Sequence, residues 1–558
     1  MSLKLSRLTV SAIALSAALL GSASAQDRPT DPTMQELLDL LVGTGVVTQE
    51  QADALVAKAR ERAAADEADG VIRVPYVPQS VRDSIRDEVR EDVVQTAREE
   101  NWAQPDALPK WLNRFHFYGD VRARFEGQLF QDNNAIAPDP AAVNAASDGG
   151  ADGFLDRLEA LPLLNTQDDR YRARFRARLG VRVDLGQWAE ADLRFVTGNP
   201  ENPLSVNQTL EGNFDGFVVA LDRALLRLRP LYKSATFGGS SLTLGKFDNP
   251  FFSTELMFDP DLQFEGAAAT LQANLDGAAG VSNVFVTAGA FPLNEIAFTG
   301  NEVSDPVLYA GQVGAQFRPT DRVRISLGGG FFFYDNVRGE ENDIGLRTRD
   351  ASAPATFGFG NTLINIRNDD ALENTVRFGL ASQFQVAQAV ASVEFDLTEN
   401  YSATVFGEYA VNTAFDRDAL VDRVPGFDGQ DIVLVPIALP SSGDTAYNAF
   451  ASFGHKDIAV LGGAGRTAWS RNAWRVTAGY RYMEADSTYS AFTDSSFGLG
   501  GTDQEGLIVE FAYGLSEHLL LEGRWIAARS IDFTDPATGL DAPSIDTDTI
   551  FIDLTGRF

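Results

Sequence analysis

The sequence predicts an all-β protein: a transmembrane antiparallel β-barrel of about sixteen strands, preceded by a short α-helical segment. Three observations support this prediction. Apolar and polar residues alternate from Phe115 to the C-terminus, short and long connections alternate between those segments, and the chain begins with an export signal. Alternation at period two sorts side chains onto the two faces of a strand, and about ten tilted residues cross a bilayer.

The composition excludes several classes of protein. The 558 residues are 44% hydrophobic and 10% aromatic, which argues against a disordered chain. The formal net charge of -32 argues against nucleic acid as a partner. The chain has no cysteine, which excludes a disulfide framework and thiolate chemistry.

Residues 1–25 have the features of a signal peptide. Lys4 and Arg7 supply a basic region, an apolar run of about 14 residues follows, and Ala23–Ala25 is a small-residue cleavage site. We therefore expect the mature chain to begin at Gln26. A transmembrane anchor is the less favoured alternative, because a spanning helix needs about 18 or more apolar residues.

Residues 26–110 predict a periplasmic helical segment. A first short helix ends at Gly43, and Thr48 with Gln51 has the spacing of a capping box that begins a second helix, which ends near Arg62. The two helices form a predicted hairpin.

A charged helix follows the extended stretch "VIRVPYVP" within the same segment. Its apolar stripe recurs every four residues, at Val81, Ile85, Val89 and Val93. A stripe this narrow cannot form a core alone, so we expect it to pack against copies of itself, as a coiled coil, or against the rest of the protein. A solvated spacer helix is the alternative.

Residues 111–558 predict the barrel, and the stretch "YRARFRARLGVRVDL" (171–185) shows its pattern most clearly. Arginines occupy one parity of that strand, and apolar residues such as Tyr171 and Leu179 occupy the other. In lipid the apolar face must point outward and the polar face must meet water in the lumen. The predicted pore-lining residues on this strand and its neighbours are Arg122, Arg124, Arg172, Arg174, Arg176, Arg178, Arg182, Glu190, Asp192 and Arg194.

The connections predict the orientation of the barrel. Short turns such as "PTD" and "TEN" alternate with long polar connections near 128–169, 198–214, 336–375, 413–444 and 531–546. Outer-membrane barrels have short periplasmic turns and long outer loops, and an even strand number returns both barrel ends to the periplasm. The strand count is weakest at 444–470, where the sequence shows one poor strand and an unusually long turn.

The stretch 246–264 is the third outer loop by this count, and it is rich in aromatic residues. Exposure of those side chains to water is costly, so we expect the loop to fold into the lumen and narrow the pore. Its acidic residues would then face the arginines of the wall. They are Asp248, Glu255, Asp259 and Asp261.

The last strand, "TIFIDLTGRF", ends on Phe558 and resembles the last strand of outer-membrane porins, in which a terminal phenylalanine is typically read by the barrel-assembly machinery. The stretches "ELLDLLVGTGVVTQEQADAL", "VPYVPQSVRDSIRDEV" and "LGKFDNPFF" resemble the putative-porin family of Gram-negative bacteria. The resemblance covers nearly the whole chain. It implies a passive diffusion pore for small hydrophilic solutes and ions, often a homotrimer, in outer-membrane lipid, with no cofactor.

Other functions find less support in the sequence. The histidines, His116, His455 and His518, are scattered and lack metal-ligand spacing, so neither an enzyme nor a metal site is expected. The acidic runs "SDGGADG" and "FDGQD" could hold calcium, although solvated outer loops explain them better. A substrate-specific channel and a barrel-anchored envelope tether remain alternatives to a porin.

The arginines of the wall predict a modest anion preference, with Arg174 and Arg176 nearest the permeating ion. Rings of such charge are how pores favour anions. The alternative is that the arginines only hydrate the wall and balance lumen carboxylates such as Glu190 and Asp192.

Overall fold

The computed structural model divides the chain into two units, 1–107 and 108–558. The export signal and the stripe from Val81 to Val93 lie outside the described residues. The described residues are 42, 48–51, 53, 54, 57, 58, 111–148, 162–198, 202–229, 239–275, 280–297, 300–367, 376–423, 443–459, 469–531 and 544–558.

Little of the first unit is described, but it includes the start of the second predicted helix. Residues 49–51, 53, 54, 57 and 58 are helical. The Thr48 amide donates to Gln51 Oε1 at 3.1 Å, and the Gln51 amide donates to the Thr48 carbonyl at 3.0 Å. The side chain of Gln51 thus reaches back to the residue before the helix, as one half of a capping box does.

The second unit is a closed antiparallel barrel. Among the described residues, sixteen strands form the wall; each pairs with the next, and the last pairs with the first. They are β1 (Phe115–Phe130), β2 (Arg170–Asp184), β3 (Ala189–Thr197), β4 (Val219–Leu228), β5 (Ser241–Asp248), β6 (Gln263–Asn274), β7 (Val281–Pro292), β8 (Val307–Thr320), β9 (Val323–Asp335), β10 (Phe384–Asp396), β11 (Tyr401–Asn412), β12 (Thr445–His455), β13 (Trp474–Met483), β14 (Gln504–Ser516), β15 (Leu519–Ser530) and β16 (Asp546–Arg557). The predicted fold class is confirmed.

The outer surface of the wall is apolar. Every strand contributes at least one exposed large apolar side chain, and its neighbours along the strand turn inward. Examples from successive strands are Phe117, Leu179, Leu193, Leu226, Leu244, Leu271, Val286, Val313, Leu327, Phe395, Val405, Phe453, Val476, Leu507, Trp525 and Ile552. An apolar surface that surrounds a closed sheet fits lipid, because a closed sheet has no open edge and its strands pair their backbone groups with one another.

The two ends of the barrel differ. At one end, here called the terminal end, the Phe558 amide donates to the Gly119 carbonyl at 3.2 Å and closes the seam. The short turns 185–188, 321–322 and 397–400 lie at the same end. The longest connections, 131–169, 336–383 and 413–444, lie at the other end, here called the loop end. Strand β12 is a regular strand of 11 residues rather than a poor one, and the turn after it, 456–473, is long as expected.

Helices are few and short in the described part of the barrel unit, and they lie before the first strand or in the connections. They are Pro140–Asp148 and Arg417–Arg423, with 3-10 turns at Leu112–Arg114, Asp350–Ser352 and Ser490–Phe492. Two further short strands, Leu363–Asn365 and Phe378–Leu380, pair with each other, and Gln208–Thr209 pairs beside β2. No helix among these residues combines the length and apolar character that a membrane crossing requires.

The connection 249–262, here called the third loop, lies inside the barrel. Four of its apolar side chains are buried in one cluster with inward-facing rings of the wall: Phe251, Leu256, Met257 and Phe258. The wall rings in this cluster include Phe247, Phe264, Phe291 and Phe332. The Phe258 ring lies 5.0 Å from that of Phe264, centroid to centroid, in an edge-to-face arrangement. One side of the lumen is therefore packed with side chains.

Candidate pore constriction

The arginines of β1 and β2 face one another in the lumen. Arg122 lies directly opposite Arg176, and Arg124 lies opposite Arg174. Like charges in opposed positions repel, so this arrangement is stable only with anions between or beside them. Alternation at period two is what places all these guanidinium groups on one face.

Carboxylates on the same strands and across the seam supply that compensation. Asp120 accepts from Arg176 at 2.8 Å and from Arg178 at 2.6 Å. Across the seam, Asp553 on β16 accepts from Arg124 Nε at 2.7 Å and Nη2 at 2.6 Å. This is a bidentate pair, the geometry in which a guanidinium binds a carboxylate most strongly.

Glu126 lies at the loop-end side of the same ladder. It accepts from Arg172 and, at 3.1 Å, from Arg174. Arg122 Nη2 donates at 2.5 Å to Asn207 of the connection between β3 and β4. The predicted basic wall is thus a ladder of arginines alternating with acids.

The ladder continues onto β3 and β4. Arg194 donates to Asp222 at 2.6 Å, and Asp192 accepts from the Tyr118 hydroxyl at 2.7 Å. Glu190 accepts from Arg227, on β4, at 2.9 Å and from Arg229, just after β4, at 2.5 Å.

The third loop is attached to the far wall by its backbone. The Phe252 amide donates to Gln312 Oε1 at 2.8 Å, and Gln312 Nε2 donates back to the Phe252 carbonyl at 2.7 Å. The amide and the hydroxyl of Thr254 both donate to Glu408 Oε2 at 2.6 Å. Gln388 Nε2 donates to the other Glu408 oxygen at 2.5 Å.

The acids of this loop meet arginines on two sides of the lumen. Asp261 Oδ1 lies 3.4 Å from Arg176 Nη1 on β2. Glu255 accepts from Arg524 on β15 at 2.7 Å. At the base of the loop, Asp248 accepts from Arg223. The loop therefore crosses the lumen and is bonded to opposite parts of the wall.

Asp259 differs from the other three acids, since its described partners are not arginines. Its Oδ2 accepts from both the amide and the hydroxyl of Ser495 at 2.9 Å. Burial, with the nearby carboxylates of Asp494 and Asp261, raises the pKa of the Asp259 carboxyl well above its ordinary value. Sequence reasoning placed Asp259 opposite arginines; the structure places it in a contact between loops.

The connection 484–503, here called the seventh loop, also lies inside the barrel, and sequence reasoning missed it. The Asp259 amide of the third loop donates to the Phe492 carbonyl of the seventh loop at 2.7 Å. Asp494 accepts from Arg481 at 3.0 Å and from Arg524 at 3.3 Å. Arg524 thus holds an acid from each of the two loops.

Two glycines stand at the base of the third loop. Gly245 and Gly266 are paired across β5 and β6 and have φ values of 109° and 142°. A Cβ at Gly245 would lie 2.2 Å from the Ala224 carbonyl oxygen, and one at Gly266 would lie 2.3 Å from the Ala290 carbonyl oxygen. Only glycine fits this close approach of strands, where the chain leaves the wall for the lumen.

The histidines do not come together. His116 Nε2 lies 3.1 Å from Asp184 Oδ2 at the terminal end, and His455 Nδ1 accepts from the Trp474 amide at 3.1 Å. Within the described ranges, no three His, Asp or Glu side chains are placed to hold a metal ion. The arrangement offers charged and polar surface to a passing solute.

A closed barrel with an apolar exterior, a charged interior and an inward loop defines a transmembrane channel. The chain belongs to the family described as "Putative porin", which matches residues 31–558. Family and fold indicate an outer-membrane channel rather than an enzyme.

The chain is similar to solved structures of outer-membrane proteins at low sequence identity. A high-pH structure of Pseudomonas putida OprB has 12% identity and a TM-score of 0.41, and the match covers 80% of this chain and 96% of that one. The outer-membrane channel DcaP of Acinetobacter baumannii has 10% identity and a TM-score of 0.37, with 80% and 97% covered. Salmonella typhi OmpF in complex with daunomycin has 9% identity and a TM-score of 0.38, with 80% and 97% covered. No curated protein matches the chain.

Proposed function

We propose that the protein is a general porin whose third loop sets the width of its passage for small hydrophilic solutes and ions. One observation carries this proposal: the loop lies in the lumen and is bonded to β2 through Asp261 and to β11 through Glu408. Passive diffusion needs only a water-filled path of fixed width, and a loop bonded on two sides keeps that width constant.

The charge at this constriction is balanced. The side chain of Arg176 is 6% exposed and lies between Asp120 and Asp261. Its field is therefore largely cancelled at short range, and the alternative role of the arginines, compensation of lumen carboxylates, gains support here. We propose that Arg174 and Arg176 position the wall and the loop, and that any anion preference arises where arginines are more exposed.

A substrate-specific channel is the second candidate, favoured by one observation. The third and seventh loops meet inside the barrel, where Asp259 and Ser495 join them, and their apolar side chains fill part of the lumen. A narrow path of this kind would discriminate among solutes.

Liposome swelling separates these two candidates. A general porin admits uncharged sugars at rates that fall smoothly with size, whereas a substrate-specific channel admits one class far faster than its size predicts. The absence of swelling with every solute, from vesicles that contain folded protein, would contradict both.

We further propose an exported homotrimer whose helical segment, 26–110, lies in the periplasm, and whose Phe558 is read by the barrel-assembly machinery. The export features of residues 1–25 and the apolar stripe around Ile85 support this arrangement. The loop end of the barrel would then face the outside of the cell.

A further inference from the structure

Three arginines at the terminal end of the lumen share one carboxylate. Glu190 Oε1 lies 2.9 Å from Arg227 Nη1, and Glu190 Oε2 lies 2.5 Å from Arg229 Nη2. Arg182 Nε lies 3.9 Å from Glu190 Oε1. One buried anion therefore bonds Arg227 and Arg229, at the end of β4 and just after it, and lies within 4 Å of Arg182 on β2.

The four side chains differ in their exposure to water. Glu190 is 4% exposed, whereas Arg182, Arg227 and Arg229 are 46%, 34% and 40% exposed. The groups that meet water are thus the guanidinium groups, and the acid that holds them lies behind them. This is the reverse of the constriction, where Arg176 is enclosed by its acids.

The other acids nearby have partners of their own. Asp192 accepts from Tyr118 and lies 3.6 Å from Arg223, and its distance to Arg182 is 4.0 Å. Asp184 lies at the rim, with Oδ2 3.1 Å from His116 Nε2. Glu190 and its three arginines therefore carry a net charge of +2 as a group, and Asp192 and Asp184 lie beside that group.

We infer that Arg182, Arg227 and Arg229 form an anion-binding vestibule for small carboxylate and phosphate anions. A guanidinium stays charged at physiological pH, and its fork of donors matches both kinds of anion. In a confined lumen with low-dielectric walls, exposed charge of one sign concentrates counter-ions. The inference rests on the proposed function, since a vestibule matters only if the barrel conducts.

The test is ion selectivity in planar bilayers across a potassium chloride gradient. The variant R182Q/R227Q/R229Q lowers the ratio of chloride to potassium permeability by about threefold or more, because removing a unit charge several ångströms from the ion path changes the local ion concentration about twofold. Glu190→Gln changes the ratio in the opposite direction. Arg324→Gln is the control for the loss of one charge, since Arg324 is also exposed in the lumen but is paired one-to-one with Glu394 at 2.5 Å; Arg182→Gln lowers the ratio more than this control does.

A second readout uses inorganic phosphate and citrate, added to both sides. Either anion at millimolar concentration reduces the wild-type current, and the triple variant loses this block. If the triple variant does not fold, the permeability ratio and the anion block of Arg182→Gln alone test the vestibule, because Arg227 and Arg229 still bond Glu190 in that variant.

An unchanged permeability ratio in a conducting variant, or a wild-type channel blocked by neither anion, overturns the vestibule. A folded wild-type protein without conductance overturns the proposed function instead.

Discussion

Glu408 holds the third loop in the lumen, and Glu408→Ala tests that role. The carboxylate accepts three buried hydrogen bonds, from the amide and hydroxyl of Thr254 and from Gln388 Nε2. Each buried donor left without an acceptor costs about 1–3 kcal/mol, so the docked loop loses roughly 3 kcal/mol even at the lower bound. A loss of that size raises the displaced fraction of the loop by roughly a hundredfold.

Single-channel recording measures this displacement. We expect Glu408→Ala to raise the mean conductance and the current noise in the open state, while Glu408→Gln, which keeps an oxygen toward Thr254, has a smaller effect. Glu394→Ala is the control, because it removes a wall carboxylate bonded to Arg324 rather than to the loop. Conductance and noise equal to wild type in Glu408→Ala would refute the reasoning and show that the apolar cluster alone holds the loop.

Three further predictions concern assembly, orientation and pH. Replacing both Ile85 and Val89 by aspartate weakens the oligomer on native gels and leaves the barrel folded, because a buried charge lacks a partner in a coiled interface. An unchanged oligomer would show that this helix is a solvated spacer. On intact cells, a cysteine at Ile344, which is 68% exposed in a long connection, reacts with a membrane-impermeant thiol reagent, whereas one at Glu399 in a short turn does not; the opposite labelling would reverse the orientation. Burial raises the pKa of Asp486, on the seventh loop, from 3.8 to about 6. Ionisation of this carboxyl therefore opposes the burial of the seventh loop inside the barrel. As the pH falls from 6 to 4 the carboxyl becomes protonated, and the buried position of the loop becomes more stable by up to about 3 kcal/mol. Current noise should therefore decrease over that range, and Asp486→Asn should flatten the change; an equal change in the variant would assign it to other acids.

Alternation at period two was enough to predict the barrel, because each wall strand must show lipid one face and the lumen the other. It placed Arg176 and Asp120 on the inner face, and the same parity put Asp553 there although it was not singled out. Its pairing with Arg124 spans 429 positions in sequence and exists only because the seam closes. Local pattern cannot reveal such a pair without the register of β1 against β16.

Other features of the lumen left no local pattern. The register of β3 against β4 shifts between Arg194 and Phe195, so parity alone could not place Asp222 inside. The seventh loop is polar, glycine-rich and irregular, which is also the composition of a solvated loop. The third loop could be recognised because its aromatic residues would be costly in water; its anchor on Glu408 depends on strands far away in sequence.

The burial of the loop end affects the design of experiments as well. Asn134 and Asn342 lie in long connections, yet both are buried: Asn134 Nδ2 donates to the Thr166 carbonyl at 2.7 Å, and Asn342 Nδ2 donates to the Ile366 carbonyl at 2.9 Å. A cysteine at either position would test loop packing rather than orientation. Exposed positions such as Ile344 are therefore the appropriate labelling sites.

We propose that the third loop, inside the lumen, limits conduction through an open barrel. Conductance of the purified protein in planar bilayers, compared with that of a variant lacking 252–260, tests it most directly. We predict discrete steps for the wild type that grow with salt concentration, and larger steps for the deletion variant. Folded wild-type protein that gives no steps, or a deletion variant whose steps are unchanged or smaller, would contradict the claim.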